Sequence, residues 1–160
     1  MLLSFRLNGR RVSVDADPRQ RLLDILRNRF HMFGVKEGCG EGECGSCTVI
    51  VDGLPVAACL AFAGQVEGAE VRTAEGLNDA AALALKDAFT ARGAVQCGFC
   101  TPGMLVAAHH LLDGNADPSE EEIRLALSGN LCRCTGYVKI VEAVRDAARR
   151  LAAGEGQSHG

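Results

Sequence analysis

Three cysteines lie in one glycine-rich loop in the first third of the chain, Gly38-Cys-Gly-Glu-Gly-Glu-Cys-Gly-Ser-Cys47. A fourth follows at Cys59, which gives the pattern C-x4-C-x2-C-x11-C. Three sulfur ligands can reach one metal centre from a single loop only if the backbone wraps tightly around it, with several residues at positive φ. The glycines supply that conformational freedom. The loop therefore predicts a metal site around which the N-terminal half of the chain folds.

The first group of cysteines is Cys39, Cys44, Cys47 and Cys59. Its spacing is that of a plant-type [2Fe–2S] site, in which the fourth thiolate comes from elsewhere in the domain. Zinc is the weaker interpretation, because structural zinc sites favour two short-spaced pairs of ligands. A disulfide pairing is the other alternative. We predict that the first group binds a [2Fe–2S] cluster.

The second group of cysteines follows after 37 cysteine-free residues and consists of Cys97, Cys100, Cys132 and Cys134. Spacing alone leaves both [2Fe–2S] and zinc open for this C-x2-C and C-x-C pattern. A thioredoxin-like role for the first pair would need a βαβ context, whereas this segment is expected to lie between helices. Helix starts predicted at Thr101-Pro102 and Thr135-Gly136 would stabilise an anionic cluster through their exposed N–H groups.

Composition argues against several classes of function. The 160 residues are 48% hydrophobic and 23% charged, as in a globular protein, and the net charge is only −3. With no basic block and 4% aromatic residues, nucleic-acid binding is not expected. No apolar run approaches the roughly 20 residues of a membrane span, and residues 1–11 lack the apolar block of a signal peptide. We expect a cytoplasmic protein, where clustered cysteines bind metal or do redox chemistry.

Strands and one helix are predicted in the first half. Residues 2–8 alternate apolar and polar side chains, Asn8-Gly9 is a hairpin signal, and residues 11–14 can form the returning strand. Asp17-Pro18 is expected to open a helix, with proline at its first position. Further strands are predicted over residues 48–51, 56–60 and 71–73. This half is therefore expected to be α+β.

The second half has helical periodicity. Helices are predicted over about residues 79–91 and 101–112, from Ser119 to before Gly129, and from near Gly136 onward. Asn78 is the expected cap of the first of these, and Ser119 with Glu122 has the spacing of a capping box. Four helices with short connections predict a four-helix bundle.

The chain is expected to divide into two domains, each with one group of cysteines. Residues 1–75 would hold the first group and residues 76–153 the second. The remaining residues, 154–160, are rich in glycine and polar residues and are expected to be a disordered tail.

Segments of both halves resemble a known family. Gln96-Cys-Gly-Phe-Cys-Thr-Pro-Gly103 and Gly129-Asn-Leu-Cys-Arg-Cys-Thr-Gly-Tyr137 are similar to signatures of the small iron–sulfur subunit of molybdenum hydroxylases. This is the xanthine dehydrogenase, aldehyde oxidase and carbon monoxide dehydrogenase family. The loop of residues 38–47 and Ala58-Cys59-Leu60 resemble its ferredoxin-like motifs, in the same order. The resemblance covers roughly residues 2–150, with Ser46 standing where alanine is commoner.

The resemblance implies a β-grasp, plant-type ferredoxin-like N-terminal domain followed by a four-helix C-terminal domain, each holding one [2Fe–2S] cluster. It also implies a large subunit whose molybdopterin lies beside the second group, and a medium subunit whose FAD faces the first group. A dimer of such heterotrimers is the expected assembly. Gln96 matches the family glutamine that contacts the pterin, and Cys134 matches the cluster ligand nearest to it.

The function implied by the resemblance is electron transfer. Hydroxylation of an N-heteroaromatic ring, an aldehyde or a similar substrate with water-derived oxygen would leave two electrons on the molybdenum. They would pass singly through the second group, then the first group, to FAD. No substrate site or catalytic side chain is expected on this chain. The alternatives are a free-standing two-cluster electron carrier and, with less support, a zinc-stapled interaction module.

Overall fold

The computed structural model describes residues 1–154. Within that range the chain is α+β, with one five-stranded sheet and five α-helices. The strands are β1 (Leu2–Leu7), β2 (Arg10–Asp15), β3 (Thr48–Val51), β4 (Leu54–Ala57) and β5 (Glu70–Arg72). The helices are α1 (Leu22–Asn28), α2 (Ala80–Ala91), α3 (Thr101–Gly114), α4 (Glu120–Ala126) and α5 (Val138–Ala152). Of the predicted tail, Gly154 is a turn residue after α5, and residues 155–160 lie outside the described residues.

The sheet has the strand order β2-β1-β5-β3-β4 and is mixed. The neighbours β1 and β5 are parallel, whereas β1–β2, β3–β4 and β3–β5 are antiparallel. Helix α1 packs on the sheet and buries Leu22, Leu23 and Leu26 against Phe5 and Val71. The β3–β4 hairpin matters most for the cysteines, because Cys47 immediately precedes β3 and Cys59 follows β4 by two residues.

The predicted hairpin turn at Asn8-Gly9 is present, and a second turn of the same kind joins β3 to β4. Asn8 and Gly9 have φ values of 49° and 81°, and Asp52 and Gly53 have 48° and 84°. Two residues at positive φ match the right-handed twist of the flanking strands, which is why Asn-Gly and Asp-Gly are preferred there.

The helix expected to open at Asp17-Pro18 is wrong, because α1 begins four residues later at Leu22. The Asp17 side chain accepts a 2.9 Å hydrogen bond from the N–H of Arg19, which closes a turn. The carbonyls of Pro18 and Gln20 then accept hydrogen bonds from the N–H groups of residues 64 and 63. These carbonyls are therefore committed to a distant segment of the chain. The strand predicted over 56–60 is displaced as well, since β4 ends at Ala57.

The second half is built from the four predicted helices. Helix α2 packs against α3 and α5, and α4 packs against the same two partners. Ser119 caps α4, and its hydroxyl accepts a 3.2 Å hydrogen bond from the N–H of Glu122. The Glu122 carboxylate accepts a 2.7 Å hydrogen bond from the N–H of Ser119, so the predicted capping box is confirmed. The cap of α2 was predicted wrongly. It is Asp79 and not Asn78, and its carboxylate accepts from the N–H of Ala82 at 2.9 Å.

The two halves pack directly against each other. Helix α3 contacts β3 and β4, and a small apolar cluster of Leu77, Ala82 and Val106 includes Ile50 from the sheet. This contact places the cysteine loops of the two halves side by side. Within residues 1–154, no helix has the length and hydropathy that crossing a bilayer requires.

Candidate metal centres

The first cysteine loop directs backbone N–H groups at a sulfur. Cys39 Sγ accepts from the N–H groups of Glu41, Glu43 and Cys44 at 3.3, 3.3 and 3.4 Å. The N–H of Cys39 in turn donates to Cys44 Sγ at 3.4 Å. The three backbone hydrogen bonds lower the pKa of the Cys39 thiol to about 7. The loop therefore favours a thiolate, the form that ligates a metal.

Positive φ values produce this wrapping. Gly40, Gly42 and Gly45 have φ of 71°, 79° and 71°, as predicted, whereas Gly38, the other glycine of the loop, does not have a positive φ. Gly42 and Gly45 are also crowded, because a Cβ on Gly42 would collide with Leu60 and one on Gly45 would collide with the carbonyl oxygen of Gly129. The second collision is with the other half of the chain, so Gly45 serves both the loop and the contact between the halves.

Cys47 and Cys59 complete the first group from the β3–β4 hairpin. Both are buried, and the N–H of Ala58 donates to the Cys47 carbonyl at 3.2 Å across the hairpin. Burial, assisted by the neighbouring Cys59, raises the pKa of Cys47 to about 11. Without a cation this thiol stays protonated at neutral pH, and ligation of a metal would replace the proton.

The second group joins two loops. Cys97 Sγ and Cys134 Sγ, both exposed, lie 3.5 Å apart. Cys100 and Cys132 are less exposed, and burial, followed by the neighbouring Cys132, raises the pKa of Cys100 to about 12. Burial opposes ionisation of Cys132 too, but hydrogen bonds from Thr135 outweigh it and lower the pKa of that thiol.

The predicted helix starts are half right. Cys100 is the N-cap of α3, as expected, with Pro102 in the first turn. The helix start predicted at Thr135-Gly136, beside Cys132 and Cys134, is wrong, because α5 begins at Val138. The residue before it, Tyr137, has a φ of 71°. The Tyr137 hydroxyl instead folds back and accepts a 2.8 Å hydrogen bond from the N–H of Cys132.

The donor set fits two diiron clusters better than two zinc ions. All eight cysteines are free thiols. Four sulfurs around one zinc would all lie about 3.8 Å apart, given Zn–S bonds of about 2.3 Å. Among the described residues, no three cysteine sulfurs lie within 4.8 Å of one another. A [2Fe–2S] cluster needs two sulfurs at each iron, so a paired arrangement such as Cys97 with Cys134 suits it.

Two hydrogen bonds, one from a backbone N–H and one from a side-chain amide, join the two cysteine loops at a junction formed by residues 44–45 and 129–131. The N–H of Leu131 donates to the carbonyl oxygen of Cys44 at 2.9 Å. The buried amide of Asn130 donates to the carbonyl oxygen of Gly45 at 3.0 Å. A Cβ on Gly103 would also collide with that oxygen. No sequence pattern predicted this junction, although Gly45, Gly103 and Asn130 belong to the family motifs of the two cysteine loops.

Another polar cluster outside the cysteine groups is structural. His109 is 1% exposed, with its Nε2 2.8 and 2.9 Å from the two carboxylate oxygens of Asp79. Its Nδ1 faces Asp113 at 3.7 Å. One ligand atom from each of the three residues lies within 4.8 Å of the others, but the Asp79 carboxylate is already engaged by the Ala82 N–H and by the imidazole. The cluster fixes the start of α2 against α3.

Comparison with known proteins gives the family. Residues 5–73 match a family model described as "2Fe-2S iron-sulfur cluster binding domain", and residues 73–145 match one described as "[2Fe-2S] binding domain". The chain is 52% identical over 151 residues to the nicotinate dehydrogenase small FeS subunit of Eubacterium barkeri, covering 94% of this chain and 96% of that one. The chain belongs to the small iron–sulfur subunits of the molybdenum hydroxylases.

Other members of this iron–sulfur subunit family agree in length and fold. The nicotine 6-hydroxylase small subunit of Paenarthrobacter nicotinovorans is 49% identical over 149 residues, which are 93% of this chain and 90% of that one. The crystal structure of quinoline 2-oxidoreductase from Pseudomonas putida 86 contains a similar chain, with a TM-score of 0.89 and 43% identity over 97% of this chain and 98% of that one. This iron–sulfur subunit therefore carries two [2Fe–2S] clusters and is part of a molybdenum-dependent oxidoreductase.

Gln96 is the remaining predicted site residue. It is exposed and immediately precedes the exposed Cys97. This iron–sulfur subunit therefore presents Gln96 next to the exposed Cys97, whose Sγ lies 3.5 Å from that of the exposed Cys134.

Proposed function

We propose that this subunit passes electrons one at a time from the molybdopterin of a large subunit to the FAD of a medium subunit. The observation that carries the proposal is the junction, where the Leu131 N–H and the Cys44 carbonyl join the loops of the two cysteine groups at 2.9 Å. A [2Fe–2S] centre takes up or releases a single electron, so two such centres in series divide the pair of electrons left by hydroxylation.

We assign Cys97, Cys100, Cys132 and Cys134 as the ligands of one cluster and Cys39, Cys44, Cys47 and Cys59 as the ligands of the other. The backbone N–H groups around Cys39 and the hydrogen bonds on Cys132 support the assignment, because they stabilise anionic sulfur. The buried Cys47 and Cys59 supply ligands that solvent reaches poorly.

The second group is the proposed entry point of electrons. Two of its sulfurs are exposed, and apolar side chains that are also exposed surround it: Val95 (41%), Phe99 (46%), Leu131 (52%) and Val138 (55%). Such a patch is typical of a surface covered by a partner. We propose that the large subunit covers it, that Gln96 contacts the pterin, and that Cys134 is the ligand nearest to it.

Three finer points belong to the same proposal. We propose that residues 1–75 form a β-grasp ferredoxin-like domain, and that residues 76–153 form a four-helix bundle domain. We propose that the complex is a cytoplasmic dimer of heterotrimers. The substrate class is an N-heteroaromatic ring, supported by relatives whose names specify nicotinate, nicotine and quinoline.

The test is purification of the native protein with subunit identification, iron and sulfide analysis and electron paramagnetic resonance. We expect co-purifying large and medium subunits, four irons and four acid-labile sulfides per copy of this chain, and two distinct signals on reduction. Elution alone at its own mass, with full iron, would favour the free-standing carrier. A colourless protein that contains zinc would exclude both.

A further inference from the structure

Phe99 lies between two cysteines of the second group in the sequence, but its ring lies close to the loop of the first group in the folded chain. It stands between Cys97 and Cys100, and its ring atom Cε1 lies 3.7 Å from the point that a Cβ on Gly38 would occupy. Cys44 Sγ lies 2.8 Å from the same point. The ring therefore approaches a sulfur of the first group from a backbone that belongs to the second.

The ammonium group of Lys36 lies over this ring. Its Nζ is 5.7 Å from the centroid of Phe99, within the range of a cation–π contact. The same Nζ donates a 3.2 Å hydrogen bond to the carbonyl of Phe33, and the backbone N–H of Lys36 donates to the carbonyl of Ser46 at 3.0 Å. Lys36 is half-buried, so these contacts hold a cation in one place beside the first cysteine loop.

No carboxylate neutralises this cation. Among the ion pairs of residues 1–154, none includes Lys36. The adjacent Glu37 is paired with Arg21 at 2.7 Å instead. The other acidic residues of the loop, Glu41 and Glu43, are exposed, so solvent screens their charge.

We propose that Lys36, held over Phe99, raises the reduction potential of the cluster in the first group and so favours electron transfer towards it. This inference rests on the proposed function, since it needs a cluster on Cys39, Cys44, Cys47 and Cys59. One-electron reduction adds one negative charge to the cluster and transfers no proton or bond. A fixed cation nearby lowers the free energy of the more negative state. Lys36 is half-buried, so solvent screens its charge less than that of a fully exposed lysine.

The test is a dithionite titration of the holo complex, followed by electron paramagnetic resonance, for the variant Lys36→Gln. We expect the equilibrium constant for reduction of the first-group cluster to fall by about threefold or more. A tenfold fall corresponds to about 59 mV for one electron. Lys36→Arg keeps the charge and should restore the native potential. Arg11→Gln is the matched control, because it removes one positive charge from β2, at the sheet edge opposite β3–β4.

A second variant, Phe99→Leu, keeps an apolar side chain but removes the ring under the ammonium. It should shift the potential in the same direction by a smaller amount. The double variant should match Lys36→Gln alone, since the ring acts through the lysine.

Iron analysis separates this inference from the proposed function. If the native protein shows no electron paramagnetic resonance signal from a first-group cluster, the assignment of Cys39, Cys44, Cys47 and Cys59 as cluster ligands is refuted. Fully loaded Lys36→Gln protein with native potentials would overturn the role of Lys36. If the Lys36→Gln variant does not retain iron, the Phe99→Leu variant is used instead. An unchanged reduction potential of the first-group cluster in Phe99→Leu would then overturn the role of Lys36.

Discussion

The backbone N–H of Leu131, one residue before Cys132, donates a 2.9 Å hydrogen bond to the carbonyl oxygen of Cys44. One hydrogen bond thus connects the residue next to a sulfur of the second group with a cysteine of the first group. The contact between the two halves of the chain and the proposed electron path therefore coincide. Changes at this junction should affect both the stability of the chain and communication between the clusters.

Gly45→Ala should disrupt the junction and reduce the iron content of the first group. Gly45 has a φ of 71°, and an added Cβ would collide with the Gly129 carbonyl. The matched control is Gly53→Ala, because Gly53 has a φ of 84° but nothing within 4 Å of the added Cβ. Both variants should lose about 1 kcal/mol from backbone strain, but only Gly45→Ala should lose iron. Equal iron contents would mean that crowding at Gly45 is unimportant.

Asn130→Ala should destabilise the holo chain by about 0.5–1.5 kcal/mol, because the buried carbonyl of Gly45 loses one of its three donors and keeps the N–H and hydroxyl of Thr48. Urea unfolding of the purified complex and of the variant measures the difference. Asn115→Ala serves as the control, since the Asn115 side chain makes local hydrogen bonds to the exposed N–H of Asp117 and to Glu122 and, within residues 1–154, none to the other half of the chain. An equal loss in the two variants would show that the Asn130 contact adds nothing to stability.

Asp79→Ala should cost about 1–3 kcal/mol, because it removes the cap of α2 and the carboxylate partner of buried His109. Burial opposes ionisation of Asp79, but the Ala82 N–H and His109 outweigh it and lower the pKa of this carboxyl. Because the pKa of Asp79 is lower in the folded than in the unfolded state, its ionised carboxylate stabilises the fold at pH values above the unfolded pKa. This stabilisation is lost as the pH falls through the folded-state pKa.

The difference in unfolding free energy between native protein and Asp79→Ala should therefore be full at pH 7 and shrink below about pH 4. Asp79→Asn keeps a side-chain acceptor for the cap and should lose less stability than Asp79→Ala. A difference that stays constant from pH 7 to pH 3 would contradict the role assigned to the ionised carboxylate.

The sequence was informative where local chemistry decides the structure. The cysteine spacings gave the two groups, Asn8-Gly9 gave a hairpin, and Ser119 with Glu122 gave a cap. It failed where distant segments compete for the same backbone groups. The turn at Asp17 is held by residues 63 and 64, and the junction joins residues 85 positions apart, as Asn130 and Gly45 show. Such pairings leave no periodic signal in one sequence.

Two cysteine variants test the proposed order of the clusters. Cys44→Ala removes a ligand of the first group and should leave the second reducible by substrate, while flavin reduction and turnover collapse. Cys100→Ala should instead leave the first group oxidised when substrate is added, although a reductant acting at the flavin should still reach it. Retention of all subunits must be checked first, because loss of a cluster can unfold its domain.

The most direct measurement is the electron paramagnetic resonance spectrum of assembled Cys44→Ala complex after anaerobic addition of substrate. We expect the reduced signal of the second-group cluster at native intensity, with oxidised flavin. Loss of that signal in a complex that retains all its subunits and the iron of the second group would contradict the proposed order.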